Sequence, residues 1–294
     1  MTLARAEIAA AFSAACADEL LALKPGNAHV HSATHKLSVA QFVESARVCA
    51  PALTVPGASV GARILDAVTA TQAAVGTNTN LGIILLCAPL AAAAERMPTL
   101  NLPGRSLPAL RQALAATLAS LSVADAEAAF RAIALAAPGG LGSDADHDVR
   151  APARADLKAA MASAAGRDRI AFQYAHDFTD VFERGLTACA QADARAGPAW
   201  RDPQWRTLLV YLEFLEAFPD SHILRRHGSE TAARTQRQAG AMAARLRGTD
   251  DPAALTGPLT DWDAALKSAG VNPGTSADLT VATLFARRLA VLSD

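Results

Sequence analysis

The sequence predicts an all-α protein, a single compact, bundle-like domain of about a dozen helices over residues 1–294. Three observations predict it. Alanine dominates while β-branched and aromatic residues are sparse, so helix propensity is high nearly everywhere. Apolar residues recur at spacings of three and four, and no stretch alternates as a strand does. Proline and glycine pairs fall between the periodic stretches, where they end one helix and open the next.

In order, the first helix is expected over 3–23, an amphipathic stretch stopped by Pro25-Gly26. The next run over 38–50 and, after Pro56-Gly57, over 57–74. A strongly apolar helix follows over 79–96, ended by Pro98. Pro103-Gly104 precedes 106–119, and 123–136 stops at Pro138-Gly139-Gly140. Helices over 153–162 and 168–191 lead to the polar loop 195–203. Beyond it come 203–217, 220–227 and 229–247, then the short loop 248–252 and 251–268. Pro273-Gly274 opens the last helix, 276–292, which the spacing of Thr275 and Asp278 marks as a capping box.

Hydrophobic residues make up 51% of the chain and charged residues 19%, enough for a sizeable core and far from a disordered composition. The formal net charge of −1 gives no long-range field toward nucleic acid or an anionic membrane, so any anion site must be local. Glu7, Asp18 and Glu19 lie in or just after the apolar N-terminal stretch, which argues against a signal peptide. The longest uncharged apolar run, Leu81 to Ala94, is shorter than the roughly 18 residues a spanning helix needs. A soluble cytoplasmic protein is expected, with no membrane or nucleic-acid partner, and with homodimer association through apolar helix faces. Cys16, Cys49, Cys87 and Cys189 form no CxxC pair and are expected to be buried reduced thiols.

Five loops carry more polar chemistry than a connection needs, at helix ends where free N–H groups favour anions. Residues 24–36 hold Lys24, a tight turn at Pro25-Gly26, and His29, His31 and His35, whose spacing matches no zinc site. Residues 76–82 place Thr77, Asn78, Thr79 and Asn80 between two glycines. One cap needs one such residue, so four suit recognition of a base, ribose or phosphate. Residues 137–150 hold Asp144, Asp146, Asp148 and Arg150. The loop lacks the strand of a dinucleotide fold, and Ala155 stands where a calcium loop needs glutamate. Its carboxylates could hold Mg²⁺ on a polyphosphate or take a hydroxyl proton. In residues 218–228, Asp220 or Ser221 caps a helix on which His222, Arg225 and Arg226 follow at i, i+3 and i+4, suited to phosphate oxygens. Residues 272–285 aim the start of an apolar helix.

These segments, in this order and over nearly the whole chain, resemble the triphosphoribosyl-dephospho-CoA synthase family. The resemblance rests on Lys24-Pro25-Gly26, on the G-x-N-T-x-x-G element Gly76 to Gly82, on the D-[ST]-x-[IL]-x-R segment Asp220 to Arg225, and on P-G-x-S-A-D-L from Pro273 to Leu279. It implies an enzyme that moves the triphosphoribosyl group of ATP to the 2′-hydroxyl of 3′-dephospho-CoA or a related acceptor and releases adenine, forming a prosthetic-group precursor. The family's N-T-H-K-G reads Asn78-Thr79-Asn80-Leu81-Gly82 here, so a histidine and a lysine are replaced. The K-P-G-N-x-H form is similar to an archaeal and methylotroph-type branch linked to tetrahydromethanopterin-dependent one-carbon metabolism.

The implied chemistry builds oxocarbenium character on the ribose. Lys24, Arg225 and Arg226, with Mg²⁺, are expected to clamp the triphosphate, with Gly26, Asn27, His29, Thr79, Arg150, His222 and Ser276 as further nucleotide contacts. Asp146, Asp148, Asp278 and Glu19 are the candidate proton acceptors or cation stabilisers, and Asp146 and Asp148 the candidate metal ligands. Asn78 and Asn80 suit the ribose or leaving base. Two other readings remain at this point: an all-α nucleotide phosphohydrolase or ligase, which would leave the glycosidic bond intact, and a non-catalytic nucleotide-binding protein.

Overall fold

The high helix propensity is realised. The computed structural model describes residues 3–31, 38–97, 106–137, 149, 151–195 and 197–293, and among them the chain forms thirteen α-helices and no strand. They are α1 (Arg5–Leu21), α2 (Val39–Leu53), α3 (Val60–Val75), α4 (Leu81–Ala94), α5 (Ser106–Ala119), α6 (Val123–Ala136) and α7 (Leu157–Ala164). After them come α8 (Arg169–Ala175), α9 (Leu186–Asp193), α10 (Pro203–Ala217), α11 (Ser221–Arg247), α12 (Thr256–Ser268) and α13 (Gly274–Ser293). Two compact units emerge. One comprises Met1–Ala15, Ala40–Thr179 and Phe285–Asp294, the other Cys16–Val39 and Asp180–Leu284.

The first unit is organised on α4. Every residue of α4 except Gly82 is buried, as expected for a helix apolar on all sides. Pro89 within it has no N–H, so the carbonyl of Leu85, four residues earlier, loses its helical partner. Tyr174 on α8, itself fully buried, donates its hydroxyl to that carbonyl at 2.6 Å. Helices α3 and α6 cross at Gly61, where an added Cβ would lie 2.5 Å from the Cα of Asp125. Asp125 is held there by two helices at once. It completes a capping box with Ser122 on α6 and accepts the Gly61 N–H of α3 at 2.8 Å.

The stretch expected as one helix over 168–191 is three elements. Asp177 and Phe178 take left-handed backbone, φ 48° and 59°, and break it. The Phe178 N–H returns to the Gln173 carbonyl at 2.8 Å, and the Phe178 ring is fully buried 5.7 Å from that of Tyr174. A π-helix over Asp180–Gly185 then leads into α9. In the second unit, α11 is interrupted at Gly228, whose φ of 80° and ψ of 175° suit glycine alone, which matches the expected boundary between 220–227 and 229–247. All four cysteines are buried, and none is in a disulfide. Among the described residues no single helix is long and apolar enough to cross a membrane.

Candidate active site

Three of the sequence segments are joined by hydrogen bonds in the second unit, around two buried carboxylates. The first is Asp263 on α12. Its Oδ1 accepts the backbone N–H of Gly26 at 2.8 Å and faces His29 Nε2 at 3.3 Å, and its Oδ2 accepts Lys267 at 2.9 Å. His29 Nδ1 accepts the His31 N–H at 3.2 Å, and its Nε2 lies 3.2 Å from the Lys267 ammonium as well as 3.3 Å from Asp263. Burial works against the Asp263 charge, but the bonds from His29, Lys267 and Gly26 outweigh it and hold the carboxyl well below its usual range. Burial, with the ammonium groups of Lys267 and Lys24, holds the His29 imidazole below its ordinary value despite the Asp263 bond, so the ring is neutral.

The Lys24-Pro25-Gly26-Asn27 loop is fixed at every residue. Lys24 has no exposed surface. Its ammonium lies 3.0 Å from Glu19 and donates to the Ala28 carbonyl. Burial pushes the Lys24 ammonium down and the Glu19 carboxyl up, and each partner pulls the other back toward charge. The Pro25 carbonyl accepts the hydroxyl of buried Tyr211 at 2.7 Å. Gly26 has φ 82°, and a Cβ there would lie 2.9 Å from both Pro273 Cδ and the Val271 carbonyl oxygen. Asn27 donates to Asn272 Oδ1 at 2.8 Å. The loop thus docks on residues 271–273, which lead directly into α13.

The second carboxylate, Asp220, stands where α11 and α13 begin. It caps α11 through Oδ1, which accepts the N–H groups of His222 and Ile223, and its Oδ2 accepts the backbone N–H and hydroxyl of Ser276. Burial pushes its carboxyl up while these four donors oppose the shift. Thr275 does not cap α13 as the sequence spacing suggests. The helix starts at Gly274, so Thr275 lies inside the first turn and its hydroxyl accepts the His222 N–H at 3.2 Å. The His222 ring is pushed down to about 4 by burial and by the charges of Arg225, Arg226 and His227, so it too is neutral. Arg225 and His222 are half-buried, Arg226 is exposed, and Asp278 is half-buried two residues beyond Ser276.

Asn78, Thr79 and Asn80 belong to the first unit. Asn78 Oδ1 accepts the Leu81 N–H at 3.1 Å, Thr79 pairs with the Ser45 hydroxyl at 2.5 Å, and Asn80 donates to Cys49 Sγ at 3.5 Å. Asp146, Asp148 and Arg150 fall outside the described residues, and so does His35. Among the described residues no three metal-ligating side chains gather. Sequence reasoning missed Asp263, Lys267, Asn272 and Tyr211. Asp263 and Lys267 are spaced i, i+4, which reads as a surface ion pair, and only the fold buries them.

Residues 5–294 match the family described as ATP:dephospho-CoA triphosphoribosyl transferase. The chain belongs to that family. Membership makes it an enzyme, a triphosphoribosyl transferase, with ATP and dephospho-CoA as the substrates the family implies. The transferase fold is matched by a crystal structure from Archaeoglobus fulgidus that carries the provisional name triphosphoribosyl-dephospho-CoA synthase. It is 20% identical, covers 84% of this chain and 96% of its own, and superposes with a TM-score of 0.59. No curated protein matches the chain.

Proposed function

We propose that this transferase holds the triphosphate of ATP on His222, Arg225 and Arg226 and uses Asp278 to take the proton of the acceptor's 2′-hydroxyl. One observation carries the assignment: Asp220 ties the turn bearing the three basic residues to the turn that leads to Asp278. Lys24 and Glu19 are buried as a pair and His29 is buried against Asp263, and in this reading they hold the K-P-G loop rather than touch phosphate. In the reaction the bond from ribose C1′ to adenine N9 breaks, and its electron pair leaves with adenine. A new bond forms from C1′ to the acceptor oxygen, whose proton passes to Asp278. Arginine suits the donor end because its planar fork can hold two phosphate oxygens at once as charge develops.

Mg²⁺ is proposed to arrive on the triphosphate, where it would neutralise phosphate charge. The acceptor is proposed to be 3′-dephospho-CoA or a close relative. The one-carbon connection rests on the Lys24-to-His29 pattern alone. Homodimer association and a cytoplasmic location are part of the same proposal, the first read directly by light scattering.

The test is chromatography of the purified protein with MgATP, with and without 3′-dephospho-CoA. Adenine release that depends on the acceptor, with a product heavier by one triphosphoribosyl group, supports the reading. Release of phosphate or pyrophosphate with the glycosidic bond intact would instead identify a phosphohydrolase or ligase.

A further inference from the structure

Arg225 and Arg226 stand on a turn of seven residues that Gly228 cuts off from the rest of α11. They can act together only if something outside that turn fixes it. Asp220 does so. Its carboxylate has no exposed surface and accepts four hydrogen bonds. Oδ1 takes the N–H groups of His222 at 2.9 Å and Ile223 at 3.1 Å, and Oδ2 takes the N–H and hydroxyl of Ser276, both at 2.8 Å. Capping α11 needs only the first oxygen. The second does nothing for α11 and is given wholly to a segment 56 residues away.

Two further contacts lock the same pair of turns. The His222 N–H also reaches Thr275 Oγ1 at 3.2 Å. The His222 ring fills the space a Cβ on Gly274 would occupy, with Nδ1 only 2.6 Å from that position. Neither turn can rotate without breaking bonds on the other. An aspartate is the side chain this geometry accepts. Asparagine has one acceptor oxygen, and its NH₂ group would face either two N–H donors or the N–H of Ser276.

We propose that Asp220 is a positioning residue of the transferase: through Ser276 it sets the basic turn of His222, Arg225 and Arg226 in fixed register with the turn that leads to Asp278. The inference rests on the phosphate assignment made above. Asp220 touches no substrate. It acts through the arginines, so its removal shows in how well they bind ATP.

The experiment is a double-mutant cycle on steady-state kinetics with Ser276→Ala, Arg226→Ala and both. Ser276→Ala removes one of the four donors and leaves the α11 cap in place. It is expected to raise KM for ATP about fivefold with kcat within about twofold, at unchanged circular dichroism. Arg226→Ala is expected to raise KM about tenfold in the parent but only about threefold in the Ser276→Ala background. Losses that multiply independently overturn the positioning role, as does a parental KM in Ser276→Ala, and both leave the phosphate assignment standing. Arg226→Ala with a parental KM overturns the phosphate assignment and this inference with it. Asp220→Asn is expected to be more severe than Ser276→Ala, and the cycle decides even if that variant does not fold.

Discussion

Replacing Tyr174 with phenylalanine removes one oxygen and leaves the ring's packing in place. That oxygen is the partner of the Leu85 carbonyl, at 2.6 Å in a site with no exposed surface. The carbonyl depends on it because Pro89 cannot supply the usual helical N–H. Without Tyr174 it is buried and unpaired, a loss of about 1–3 kcal/mol. Urea unfolding of the parent and of Tyr174→Phe measures it. A second background isolates the cause. Pro89→Ala restores an N–H four residues after Leu85, so Tyr174→Phe made in Pro89→Ala should cost about 1 kcal/mol less than in the parent. An equal cost in both backgrounds would refute the idea that proline orphans the carbonyl and tyrosine rescues it.

Gly26→Ala should destabilise the protein and slow the reaction, because φ is 82° there and the new methyl would press on Pro273 and the Val271 carbonyl. Thermal melting and adenine release read the two effects. Lys24→Met alone should cost about 3–5 kcal/mol by leaving Glu19 buried and unpaired, and Lys24→Met with Glu19→Leu should recover most of the stability. Activity should return with it if Lys24 holds the loop, whereas a stable, inactive double variant would return Lys24 to the triphosphate. Asp263 and His222 should each raise stability with pH through the acid range, against the opposite trend set by the raised carboxyls of Glu19 and Asp220. Asp263 has a folded pKa below its unfolded 3.8, so its contribution is complete above that value and is lost as pH falls through the folded one. His222 drops from 6.5 to about 4 on folding, so its contribution is complete above 6.5 and fades toward 4. Asp263→Asn should flatten the lower part of a urea-midpoint profile against pH, and His222→Gln the upper part.

The helices were legible because their signals are local. Alanine content, the spacing of apolar residues and the Pro-Gly breaks placed nearly every one, and Gly228 ended a turn where the sequence divides 220–227 from 229–247. The break at Asp177 and Phe178 was not legible, since neither residue favours left-handed backbone as glycine does and the burial of the Phe178 ring is a tertiary matter. The site divided in the same way. Its motif residues could be named from sequence, but their neighbours could not. Asp263 and Lys267 look like any i, i+4 pair on a helix surface. Thr275 and Asp278 have capping-box spacing, yet the cap of α13 is supplied from Asp220, on another segment. Long-range hydrogen bonds leave no periodic trace.

A crystal structure of the protein with a non-reacting ATP analogue and 3′-dephospho-CoA bears most directly on the chemistry. Triphosphate oxygens within hydrogen-bond distance of Arg225 and Arg226, with an Asp278 carboxylate oxygen at the acceptor hydroxyl, are the expected result. A triphosphate seated away from the His222–Arg226 turn would contradict it.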